Sequence, residues 1–131
     1  MGLAERRAVK AFQDNKFPAI KRDLDKAAGF ELPLEVDWDN LAVEDYAEYY
    51  DDYFVKVYFK PLIEAFKAIT FDEMGKEALR EGLKKVIIRH SGKREASFDH
   101  GNLILDLPPH SNVDYWEDRR NEWQKILEKG L

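Results

Sequence analysis

Three histidines, His90, His100 and His110, are the only imidazoles in the chain. A three-histidine zinc site needs all three rings around one ion. Their placement argues against it. His90 closes one apparent strand and His110 follows another, so these two fall at one end of a sheet, while His100 occupies a turn at the other end. Strands of five or six residues hold the two ends roughly 15–20 Å apart. A smaller site of His90, His110 and a carboxylate such as Asp106 or Asp114 is the arrangement that spacing permits, but spacing alone is weak evidence. Neither a metal nor a cofactor is expected.

Ser97, Asp99 and His100 invite a triad reading, because a nucleophilic hydroxyl needs a base within hydrogen-bond reach and a third group to orient it. No sharp strand-to-helix turn presents the serine and no oxyanion donor is identifiable, so a surface hairpin is the expectation. Asp37-x-Asp39-Asn40 resembles the opening of a calcium loop. That loop requires Gly at its sixth place and Glu at its twelfth, and Ala42 and Glu48 stand there. The end of a strand followed by a helix cap explains the acids better. Glycine-rich phosphate loops, paired zinc ligands and kinase signatures are absent from the sequence, and no catalytic residue is assigned.

What remains is a surface with recognition chemistry. Wound at 100° per residue, residues 44–57 sort into two faces. Tyr46, Tyr49, Tyr50, Tyr53, Phe54 and Val57 fall on one side; Glu44, Asp45, Glu48, Asp51 and Asp52 fall on the other. Glu44/Glu48 and Glu48/Asp52 are like-charged pairs four apart, each costing a helix a few tenths of a kcal/mol. Between Glu31 and Val55 there are nine acids and no Lys or Arg, whereas the other 17 acids meet 21 bases. Tyrosines suit half-wet surfaces, since a buried hydroxyl needs a partner. Partner-binding residues are therefore expected at Glu44, Glu48, Asp51, Asp52, Tyr46, Tyr49, Tyr50 and Tyr53.

The elements that would position them follow from periodicity. Residues 3–14 and the stretch from Pro18 to Ala28 read as two helices broken near Asn15, with Gly29 as a stop. Glu31–Asp39 alternates and reads as a half-buried strand, with Leu32, Leu34, Val36 and Trp38 pointing one way. A central helix is expected from Leu41, with a kink or restart before Pro61. Asp72 caps a further helix whose inward residues are Met74, Ala78, Leu79 and Leu83. Lys85–His90, Glu95–Asp99 and Asn102–Leu107 read as a three-strand meander turning at Ser91–Arg94 and His100–Gly101. Ser111-x-x-Asp114 resembles a capping box for a last helix with Trp116, Arg120, Trp123 and Leu127 on one face. The expected fold is α+β: an antiparallel sheet of three to four strands, packed mainly on one face by helices.

At 131 residues, 44% hydrophobic and cysteine-free, the chain fits one domain, residues 1–131, with a real core and no disulfide. No apolar run approaches the ~20 residues of a membrane span, and no signal peptide is apparent. A net charge of −5 disfavours phosphate binding. The expectation is a soluble cytoplasmic protein without nucleic-acid or membrane partners. Its function reads first as a non-enzymatic protein-binding module using the acidic, tyrosine-rich helix, with a protein partner or self-association. A second reading is a small-molecule-binding or metal-assisted enzyme with a pocket beside the tyrosine stripe. A third is an assembly subunit anchored by Trp38, Trp116 or Trp123.

Overall fold

The computed structural model describes residues 2–131. Helix α1 covers Leu3–Asn15 and α2 covers Phe17–Ala28, with the expected break at Lys16. Pro18 lies in the first turn of α2, where its missing amide hydrogen costs nothing. Gly29 ends α2 with a left-handed φ of 86°, and its amide donates to Asp25 O at 2.9 Å. A side chain at that φ would be strained.

Strand β1 is only Leu34–Val36. Trp38, read as the next inward strand residue, instead opens a short helix, α3 (Trp38–Leu41). Its ring packs 5.8 Å from Phe12 and 5.1 Å from Phe17. Burying an aromatic ring among aromatic neighbours outweighs the alternation that would have continued the strand.

The long central helix is not continuous. Residues 42–46 form an irregular link in which Asp45 takes a left-handed φ of 72°, a conformation Asp tolerates better than most residues. A 3₁₀ turn follows at Ala47–Tyr49, then α4 (Tyr50–Phe54), a π turn at Val55–Phe59 and α5 (Lys60–Ile69). Pro61 does not stop the helix; it widens it. In the π turn the Lys60 amide donates to Val55 O, five residues back. Continued one residue further, that pattern would bring an amide to Lys56 O, and an α pattern would bring one to Val57 O. Pro61 has no hydrogen to offer either carbonyl. Arg119 supplies both: Nη2 donates to Lys56 O at 2.9 Å and Nε to Val57 O at 3.1 Å.

Helix α6 (Glu73–Gly82) is capped as expected, Asp72 accepting from the Gly75 amide at 2.8 Å. Strands β2 (Lys85–Arg89), β3 (Glu95–Asp99) and β4 (Asn102–Asp106) follow, then α7 (Trp116–Gly130). The Ser111 capping box does not form. Residues 111–115 make a turn with Asn112 at a φ of 47°, and α7 starts after Tyr115.

The fold is α+β, but the sheet is mixed rather than antiparallel. Its order is β1-β2-β4-β3. β1 runs parallel to β2 and β2 parallel to β4; only β3 and β4 pair antiparallel. The meander fails because β4 inserts between β2 and β3. A five-residue link, His90–Arg94, is long enough to hold those two strands apart, whereas the tight turn at His100–Gly101, with φ of 53° and 82°, pairs β3 directly with β4. The faces are as the alternation implies. Val86 sits opposite Leu103 and Ile88 opposite Leu105, all four buried, with Ala96 and Phe98 beside them. The helices cover that face, while Ile87 and Ile104 on the other remain partly exposed.

Candidate functional site

The predicted partner residues lie between Val43 and Val57, but α4 and its 3₁₀ approach present them differently from a single helix. Glu44 and Asp45 belong to the irregular link before the 3₁₀ turn. Glu48 is exposed on that turn, and Asp51 and Asp52 stand in the first turn of α4, where the helix dipole favours acids. The acidic stripe is partly neutralised, since Lys56 Nζ lies 3.2 Å from Asp52 and 3.8 Å from Asp114. Glu48 and Asp51 form no ion pair among the described residues.

The tyrosines divide by the fate of their hydroxyls. Tyr50 is fully buried, stacks on Phe54 at 4.7 Å and donates to Val43 O at 2.5 Å. Burial, and after it the charge of Glu5, pushes its pKa up to about 12. Tyr58, outside the predicted set, is likewise buried and donates to Leu107 O, tying the π turn to the segment after β4. Burial raises its pKa well above the ordinary value, aided by the charge of Asp106 and opposed by Arg119. Tyr50 is therefore a core residue, not part of a binding surface.

Tyr46, Tyr49 and Tyr53 are different. Tyr49 is 44% exposed and the other two are half-buried. Tyr49 stacks on Tyr53 at 5.2 Å and 15°, and Tyr53 lies 6.1 Å from Tyr46. Tyr46 stacks almost face to face on His110, at 4.6 Å and 5°. The result is an aromatic ledge of four rings. The three tyrosine hydroxyls make no hydrogen bond among the described residues.

His110 is there because β2 and β4 are parallel. Their carboxyl ends coincide, and His90 and His110 follow them at that same end, as sequence placement implies. Crevices outside the carboxyl ends of parallel strands are common ligand positions. Both Nδ1 atoms are buried without a hydrogen-bond partner. Burial, then the neighbouring charges of His90 and Arg94, lowers the His110 pKa below its ordinary value. His100 stands at the opposite end, its Nδ1 3.0 Å from the Asp99 carboxylate on an exposed turn.

Asp106, once a possible metal ligand, is committed elsewhere. Its fully buried carboxylate accepts from Arg89 Nε at 3.0 Å, the Ser91 amide at 2.9 Å and the Ser91 hydroxyl at 2.5 Å. Burial pushes this carboxyl up, but those hydrogen bonds and the Arg89 charge outweigh it and hold the pKa below the ordinary value. No group of three His, Asp or Glu among the described residues could hold a metal ion. The Asp106–Ser91 bonds instead fix the link that leaves β2, and with it His90.

Sequence reasoning missed Arg119. The last helix was read with Arg120 on its apolar face, yet Arg119, Trp123 and Leu127, spaced four apart, are the buried set. The signal was available in Pro61, whose missing hydrogen calls for a donor from elsewhere. Trp123 is fully buried and so is no surface anchor. None of the described helices is long and apolar enough to cross a membrane. No protein-family model matches the chain, and it shows no significant similarity to a curated protein or to a solved structure.

Proposed function

We propose that the protein is a non-enzymatic binding module whose aromatic ledge, flanked by Glu48 and Asp51, takes a basic segment of a protein partner. The observation that carries this reading is the sorting of the hydroxyls. Tyr50 and Tyr58 give theirs to main-chain carbonyls, whereas Tyr46, Tyr49 and Tyr53 make no hydroxyl hydrogen bond among the described residues, and Glu48 and Asp51 on the same segment form no ion pair there. Their rings are already ordered by stacking, so a partner binds them with little loss of side-chain freedom. Tyrosine faces and carboxylates together suit guanidinium groups, which stack on rings while pairing with acids.

The test is a titration of the isotope-labelled protein with an arginine hexapeptide, followed by amide chemical shifts. Shifts should concentrate between residues 44 and 53 and vanish in Y49A/Y53A and E48K/D51K variants. Shifts centred elsewhere, or unchanged in both variants, overturn the reading.

A second reading draws on the buried, unpartnered Nδ1 atoms of His90 and His110 at the end of the ledge. A small ligand or metal ion reaching either atom would give it the partner it lacks and would supply its remaining coordination or hydrogen bonds itself. Zinc titration by calorimetry of the wild type against H90A and H110A checks it; identical heats in all three remove it.

A further inference from the structure

Helix α6 departs from its expected orientation in one place. Leu79 and Leu83 point into the core as the pattern requires, but Met74, expected beside them, is 80% exposed. Phe71, just before the helix, is also 80% exposed. With Ile69, Ala78 and Leu131 these two residues line a groove between α6 and the end of α7, formed of adjoining clefts of about 350 and 420 Å³. Its charged lining is Asp72, Glu77, Glu81 and Glu128, with no Lys or Arg. An apolar floor with an acid-only rim fits an amphipathic helix that carries cations.

This chain owns such a helix. The outer face of α1 bears Leu3, 52% exposed, with Arg6, Arg7, Lys10 and Ala11 around it in a shallow cleft of about 440 Å³. The spacing from Leu3 to Arg6, Arg7 and Lys10 places them on one helical face. Lys10 reaches Asp14 at 3.2 Å, and Arg6 and Arg7 have no ion pair among the described residues. No residue of α1 lines the groove, and α1 packs against α2, α3 and α4 instead, so the two surfaces cannot meet within one molecule.

We propose that the acidic groove of Phe71, Met74 and Leu131 receives the basic outer face of α1 from a second copy of this chain, in a head-to-tail contact. Charge complementarity selects this occupant: the unpaired Arg6 and Arg7, a Lys10 shared with Asp14 and one exposed leucine meet four acids and an apolar floor. The contact is heterologous, so a pair of copies still keeps one free groove and one free α1 and can add further copies. It goes beyond the ledge described above and uses none of its residues.

Sedimentation velocity of the full chain tests it. The weight-average sedimentation coefficient should rise with concentration toward the millimolar range, as for small interfaces, and the rise should weaken about tenfold or more in 0.5 M salt. F71S/M74S and R6E/R7E, all surface changes, should each be monomeric with unchanged circular dichroism. An equimolar mixture of the two should form a dimer that grows no further, because only one groove and one α1 remain functional. E48K/D51K should associate like the wild type. Four results overturn the proposal: a wild type that stays monomeric, a variant mixture that stays monomeric, R6E/R7E that still self-associates, or loss of association in E48K/D51K. The third would indicate groove-to-groove contact and the last an α1–ledge contact.

Discussion

Replacing Arg119 by methionine keeps the volume and removes every donor. The guanidinium gives hydrogen bonds to Lys56 O, Val57 O and Asn112 O at 2.9, 3.1 and 2.8 Å, and longer ones to Ser111 O and Val113 O at 3.4 Å. The turn at Ser111–Val113 lies near solvent and can recover water. The carbonyls of Lys56 and Val57 cannot draw on Pro61, and they sit where Val57, Tyr58 and Phe59 are fully buried. An unsatisfied buried acceptor costs about 1–3 kcal/mol, so two cost about 2–6, partly offset by no longer burying a charge. A net loss of about 3 kcal/mol is expected, a large part of the ~5–15 kcal/mol typical of a domain. Urea unfolding followed by the combined fluorescence of Trp38, Trp116 and the buried Trp123 reads it. Pro61→Ala sharpens the test by restoring an amide hydrogen at the position that created the need. In the R119M background it should recover stability relative to its effect in the wild type, with a coupling of about 1 kcal/mol or more. A loss below about 1 kcal/mol for R119M, or additivity of the two changes, would refute the link between the proline, the π turn and the arginine.

Three further outcomes are expected. A Cβ added at Gly75 would lie 1.7 Å from Ile69 O, so Gly75→Ala must push α6 away from the end of α5 and should lower stability by about 2 kcal/mol in the same urea assay. The depressed pKa of Asp106 stabilises the fold above the ordinary carboxylate value of 3.8, and that contribution is lost as pH falls through the lower folded value; Asp106→Asn should cost about 2–4 kcal/mol at pH 7 and flatten the acid-unfolding profile there. The His110 pKa is also lowered, but for a base the sign reverses: the fold favours the neutral ring, so stability is complete above pH 6.5 and declines as pH drops from 6.5 toward the folded value. Stability curves at pH 7.5 and 5.5 should therefore differ by up to about 1.4 kcal/mol per pH unit within that window, and His110→Gln should remove the difference.

Punctuation was the most legible part of the chain. The break at Lys16, the stop at Gly29 and the Asp72 cap were all readable, because each depends on one residue's backbone chemistry. The two-residue period puts Ala96 with Phe98 on a face of one strand and Leu103 with Leu105 on a face of another, and the ladder sets those two faces on the same side of the sheet. The neighbours of each strand were not legible, since alternation fixes which face is buried but not which edge pairs with which. The projection of residues 44–57 separated acids from tyrosines without showing that the helix begins only after Tyr46. It could not distinguish Tyr50 from Tyr53, because a hydroxyl's fate depends on a carbonyl, Val43 O, that the irregular link brings back. Met74 was misread because helical spacing marks an apolar residue as inward whether or not anything covers it.

The insertion of β4 between β2 and β3 also shapes how the chain reaches its fold. β3 and β4 can zip from their own turn in microseconds, as an isolated hairpin does. β2 cannot join its sequence neighbour, because that place is kept for a strand synthesised later. Both edges of β2 stay open until Val86 meets Leu34 on one side and Leu103 on the other, each after a long loop has closed. Assembly of the sheet is thus governed by distant pairings, whose loop closures slow it relative to the local β3–β4 hairpin, and Val86–Ile88 is the apolar segment that those pairings must cover.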